Sequence, residues 1–217
     1  MKRGLMKLAV AAVCLGWVCS FSFAERDGKE GKVAKPPESR KEAKKISVQL
    51  FVVEAQMDAL YKEGADPLSA GTGKVTVEQI VNCIEKDKAG VISGISVSTN
   101  DGEEARESCE KRFYVKYESG DEKGGGRDIR FHKYSTQKKL TVRPFISSNG
   151  KIRTELNYLE TYFDLDNVEE TPQMPLGSNE RSLSTSVMLN PGKPEIISGF
   201  QNENKGEFII VTADIAE

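Results

Sequence analysis

The chain has 217 residues, 31 Lys and Arg against 33 Asp and Glu, a formal net charge of −2 and 38% hydrophobic content. That length suits one domain with a full core, and the charge balance excludes nucleic-acid binding driven by overall charge. A single histidine, His132, leaves no second one from which to build a metal site or a catalytic dyad.

Lys2, Arg3 and Lys7 precede the apolar run 8–23, and Ser22-Phe23-Ala24 places small residues at both cleavage-determining positions, so residues 1–24 are expected to be a signal peptide. The run falls short of the roughly 20 apolar residues of a bilayer-spanning helix. Its removal takes the basic residues from 31 to 28 against 33 acidic ones, a net of −5. Residues 25–45, rich in Lys, Glu, Gly and Pro, read as a disordered tether, and residues 46–217 as one domain.

Ile46, Val48, Leu50 and Val52 alternate with Ser47, Gln49 and Phe51, which predicts a first strand near the centre of a sheet. A short helical turn over 54–62 and a loop over 69–73 follow. Thr76 then opens a helix: Gln79 stands at the capping-box position, and Val77, Ile80, Val81 and Ile84 recur at i, i+3, i+4 and i+7. Lys86 and Lys88 suit the helix dipole, and Gly90 is the expected stop. Residues 91–98 form the next strand, Asn100-Asp101-Gly102 a turn, and 105–117 an unusually polar strand. Residues 119–127, with three consecutive glycines, read as a flexible tip, and 129–134 as a strand leading into the hairpin of residues 140–163.

In that hairpin Leu140, Val142, Pro144 and Ile146 share one face, as do Ile152, Thr154, Leu156 and Tyr158. A two-residue Asn149-Gly150 turn would pair Val142 with Asn157. A three-residue loop, Ser148-Asn149-Gly150, pairs Val142 with Leu156 and Ile146 with Ile152, keeps both apolar rows on one face, and puts Gly150 where a G1 bulge needs a left-handed residue. Residues 181–200 supply a strand, a turn at Asn190-Pro191-Gly192-Lys193 and another strand, and 207–215 a last apolar strand. The fold class expected is α+β and β-rich, mainly antiparallel with one amphipathic helix.

The hairpin of residues 140–152, the Arg- and Thr-containing strand at 181–187, the glycine-bounded segment 192–200 and the last strand at 208–215 resemble, in this order, the C-terminal half of the bacterial secretin homology domain. The first half follows the same plan: a strand ending near an acid (46–54), a helix (77–84), a strand (91–99), an Asn/Gly turn (100–102) and a strand (105–115). The resemblance implies a non-enzymatic, cofactor-free, β-rich component of a secretion or pilus system in the periplasm or outer membrane. Its partners would be proteins of that system or copies of itself, with no nucleic acid and no small-molecule substrate evident. The alternative is a monomeric periplasmic module that captures partners by sheet-edge pairing. The region matching the family's gate hairpins, residues 114–129, reads as short and hydrophilic, and residues 201–206 replace the family's membrane-seating segment, so the chain alone is not expected to form a pore.

Cys83 and Cys109 are the cysteines beyond the leader. A bridge across the 25 residues between them would contribute about 3 kcal/mol in the loop-entropy model, and two free buried thiols are the alternative. Asp101-Glu103-Glu104 and Glu169-Glu170 read as solvated turns. Asp164, Asp166 and Asn167 lack the glycine and terminal Glu of a calcium loop, and Gly124-Gly125-Gly126 lacks the Lys-Ser/Thr of a phosphate loop. Asn149, Gly150, Pro191 and Gly192 are expected to act as structural turn residues.

Overall fold

The computed structural model describes residues 44–65, 74–120, 127–163, 177–202 and 204–216, all within the compact unit Lys41–Glu217. The expected signal peptide, nearly all of the tether, the 69–73 loop, the glycine run and the acids at 164–170 lie outside them.

The chain order is β1 (Lys45–Gln56), α1 (Met57–Lys62), α2 (Val77–Glu85), β2 (Ala89–Asn100), β3 (Ala105–Gly120), β4 (Arg127–Ile146), β5 (Ile152–Tyr162), β6 (Asn179–Leu189), β7 (Glu195–Asn202) and β8 (Lys205–Ala216). These strands make two four-stranded sheets, β2-β1-β8-β7 and β3-β4-β5-β6, and every pairing is antiparallel. Fold class and helix are as the residues indicated. The arrangement into two sheets is new information.

The sheets face each other across one core. From the first sheet it takes Ile46, Val48, Leu50 and Val52 of β1 and Ile209, Val211 and Ala213 of β8; from the second, Leu140, Val142, Ile152, Leu156, Tyr158 and Leu189. The opposite face of the first sheet is also covered. Val53, Ala55, Phe208 and Ile210 pack there with Met57 and Leu60 of α1 and Ile80 and Cys83 of α2. Strand β1 is therefore central, and its C-terminal half is buried on both faces: Val52 faces the core between the sheets and Val53 and Ala55 face the helices, whereas Ser47 and Gln49, beyond the helices, stay polar.

The α2 cap forms as read: the Thr76 side chain accepts from the Gln79 backbone N–H while the Gln79 side chain accepts from Thr76 N–H. Its C-terminal reading needs correction. Lys86 is the C-cap, and Asp87, at φ 56°, takes the left-handed conformation that reverses the chain, so Gly90 lies already in β2. The hairpin register is the three-residue one, with Val142 opposite Leu156 and Ile146 opposite Ile152. Gly150 sits at φ 79°, its N–H donating to the Ser147 carbonyl at 2.9 Å.

Two turns that look like hairpin turns do something else. The Asn100-Asp101-Gly102 turn carries the chain from β2 in one sheet to β3 in the other, and Asn190-Pro191-Gly192-Lys193 carries it back from β6 to β7. In the second turn Lys193 N–H donates to Asn190 C=O at 3.1 Å and Gly192, at φ 69°, donates to Ala213 C=O at 2.9 Å, which anchors the crossing to β8.

Candidate functional site: sheet edges, an extended arm and a buried charge layer

Within the described residues each sheet ends in two strands with no outer neighbour, β2 and β7 in the first and β3 and β6 in the second. An edge strand presents a row of backbone donors and acceptors that another strand can pair with.

The second sheet has an extension. Strand β4 pairs with β3 from Arg127 onward, but with β5 only from Gln137. The segments 111–120 and 127–136 therefore form a two-stranded arm of ten residue pairs, about 30 Å long at the usual rise per residue. The region expected to be short, with a tip beginning at Ser119, is instead strand as far as Gly120 and again from Arg127. One face of the arm bears Tyr114, Phe131 and Ile129, exposed by 67%, 66% and 51%. Tyr114 stands opposite Lys133 and Phe131 opposite Lys116, so the apolar side chains alternate with cations across the ladder. At the arm's base Phe113, Tyr134 and Phe163 form a ring cluster with centroids 5.2–5.6 Å apart. His132 is an exposed residue of this arm, paired with Val115.

Between the sheets the core ends in a polar layer. Along β5 the inward row Ile152, Thr154, Leu156, Tyr158 continues into Glu160, which is 4% exposed. Its carboxylate accepts from Ser93 Oγ of β2 at 2.7 Å and from Tyr158 OH at 2.9 Å. Arg181 of β6 lies 3.3 Å away and Lys138 of β4 3.5 Å. Arg181 then crosses to the other sheet, donating from Nε and one terminal nitrogen to the two oxygens of Glu207 on β8, at 2.6 and 2.7 Å. Its guanidinium stands 3.6 Å over the Tyr162 ring. Burial works against the Arg181 charge, but the paired hydrogen bond to Glu207 prevails and raises its pKa. Burial pushes the Tyr158 hydroxyl well above the usual tyrosine range, so it stays a donor.

The layer thus ties Ser93 and Glu207 of one sheet to Glu160 and Arg181 of the other. Arg181 was visible as a motif residue; its partners were not. The only signal for them was parity, since Lys138, Glu160, Arg181 and Glu207 each continue an apolar row by two positions.

The expected bridge does not join the cysteines. Cys83 belongs to α2 and is buried on the helix side of the first sheet, and Cys109 sits on β3 of the second, with no bond between them. Intervening strands separate them, and burial raises the Cys83 thiol pKa, which disfavours the reactive thiolate. Among the described residues no three His, Cys, Asp or Glu side chains are grouped to hold a metal. No helix among them is long and apolar enough to cross a membrane, which leaves crossing by strands open.

A two-sheet antiparallel sandwich with a helical layer, open edges and a projecting hairpin defines a β-rich structural domain. Residues 83–209 match the Secretin family model, described as bacterial type II and III secretion system protein. The match spans more than half of the chain, so the chain belongs to the secretin family. No curated protein matches. The chain is similar to the secretin-domain β-barrel of InvG from the Salmonella SPI-1 injectisome (12% identity, 81% of this chain, 64% of that one, TM-score 0.43). It is similar too to the type II secretin GspD of enteropathogenic Escherichia coli (12%, 81% and 70%, 0.42). A third is the V. cholerae type IV competence pilus secretin PilQ (11%, 80% and 61%, 0.41). The chain thus spans under two thirds of the InvG and PilQ chains.

Proposed function

We propose that this protein is an exported structural subunit of a secretion or pilus system in the cell envelope, joined to copies of itself or to other proteins of that system by strand addition at its sheet edges. The observation that carries the reading is that, among the described residues, both sheets are open at both ends, so that β7 of one copy can meet β2 of the next, and β6 can meet β3. Such contacts are head-to-tail, and a head-to-tail contact closes a ring when its rotation divides a full turn with no rise along the axis, and otherwise builds a filament. Export rests on the cleavable leader over residues 1–24.

The subunit alone does not open a pore. A barrel in a bilayer needs strands with an uninterrupted lipid-facing apolar row, and on the arm Lys116 and Lys133 interrupt the row made by Tyr114, Phe131 and Ile129. Light scattering on the purified protein tests the assembly reading. A mass many times the 23.9 kDa of one chain is expected. A monomer at all concentrations would favour the binding module that pairs its edge with another protein's strand. Liposomes mixed with the protein should retain an encapsulated dye, and stable conductance steps would overturn the pore-free reading.

A further inference from the structure

The solvent face of the second sheet, opposite the one that carries the polar layer, holds a different cluster. The register puts Arg106 beside Thr141, Thr141 beside Asn157, and Asn157 beside Ser184, a row across all four strands. Lys139 and Ser182 flank it one step along. With Leu159 they line an open concavity of about 390 Å³ whose walls include no Asp or Glu among the described residues.

Arg106 Nε donates to Thr141 Oγ1 at 3.2 Å, which holds the guanidinium over the sheet, and its terminal amino groups make no hydrogen bond among the described residues. Neither Arg106 nor Lys139 has a carboxylate partner among the described residues. Arg153 on the same face differs, being paired with Glu155 at 2.7 Å. Arg106 and Lys139 are diagonal neighbours on an antiparallel pair, about 7–8 Å apart at the backbone, so their long side chains can converge on one small group. Around them stand three hydroxyls and an amide, all able to donate. Two cations and a set of donors, with Glu155, the next residue along the same face of β5, held by Arg153, match a tetrahedral oxyanion. Leu159, half-buried, stands between Lys139 and Ser182, and none of the exposed large hydrophobic side chains lines the concavity.

From this arrangement we infer that the outer face of the second sheet binds a phosphate-bearing ligand dissolved in water, its phosphate held by Arg106 and Lys139 and its neighbouring polar groups met by Thr141, Asn157, Ser182 and Ser184. The site does not depend on the assembly reading.

Equilibrium dialysis of the full chain against labelled pyrophosphate, at low and constant ionic strength, tests it. Saturable binding is expected, weakened about tenfold in R106Q and in K139Q, the scale of one charge-assisted hydrogen bond, and unchanged in R153Q. Unaltered urea midpoints for these surface variants would show that the fold is intact. Binding that fails to saturate, or that R153Q weakens as much as R106Q, would reduce the site to diffuse electrostatics and overturn the inference. Co-sedimentation with phosphatidate vesicles that depends on Arg106, without pyrophosphate binding, would move the ligand to a membrane surface and overturn its assignment to solution.

Discussion

At the scale of single residues the interior departs from its apolar plan in two ways, one partnered and one not. Arg181 satisfies two carboxylates and an aromatic face at once. Truncating Arg181 leaves Glu207 charged without its paired donor, while Glu160 keeps Lys138, Ser93 and Tyr158, and breaking a buried pair in this way costs about 3–5 kcal/mol. R181A should therefore lose about that much stability in urea denaturation, and a loss under about 1 kcal/mol would mean that water replaces the guanidinium without penalty. Thr154 is the opposite case. It is fully buried and its hydroxyl has no hydrogen-bond partner among the described residues, across from Pro144, which has no N–H to offer. An unpaired buried hydroxyl costs about 1–3 kcal/mol. The isosteric T154V should accordingly raise the urea midpoint, and a lower one would show that the hydroxyl has a partner.

The elements differ in how far their own residues specify them. Gly150 adopts φ 79°, where a β-branched side chain is strained by about 1–3 kcal/mol. G150V should thus lower the denaturation midpoint well below that of S148A, and equal midpoints would deny the bulge its role. The β3–β4 arm is the contrary example. Its Tyr114 and Phe131 touch little of the body, so Y114S/F131S should change stability by no more than about 0.5 kcal/mol. The same variant should reduce the self-associated fraction seen by light scattering. A stability loss of core-truncation size would mean that this face packs against the body. The residues of the arm read as two separate strands, 105–117 and 129–134; what they do not show is that the two pair into one ladder running on to Gly120 and back from Arg127, because that pairing leaves no mark in the alternation of either segment.

For the whole molecule, the polar layer makes the union of the two sheets pH-dependent at the alkaline end. Burial raises the folded-state pKa of Tyr158 above the ordinary 10.0. Its contribution is fully present below pH 10.0 and is lost as pH rises from there toward the folded pKa. Wild type should lose stability across that alkaline range more steeply than Y158F, which has no proton to release; parallel pH curves would show that Tyr158 ionises freely. Local patterns in the chain determined a good deal by themselves: the capping box at Thr76 and Gln79, the register of the 140–163 hairpin, the central first strand and the order of the strands around α2 all follow from short-range periodicity and turn chemistry. Only the tertiary structure decided that the chain changes sheets at Gly102 and Gly192, that β1 pairs with β8, and that Ser93, Glu160, Arg181 and Glu207 meet in one layer. The physical reason is that a period-two pattern tells which face of a strand is buried. Which strand lies beside it, and which face lies opposite, is set by packing between segments far apart in the chain.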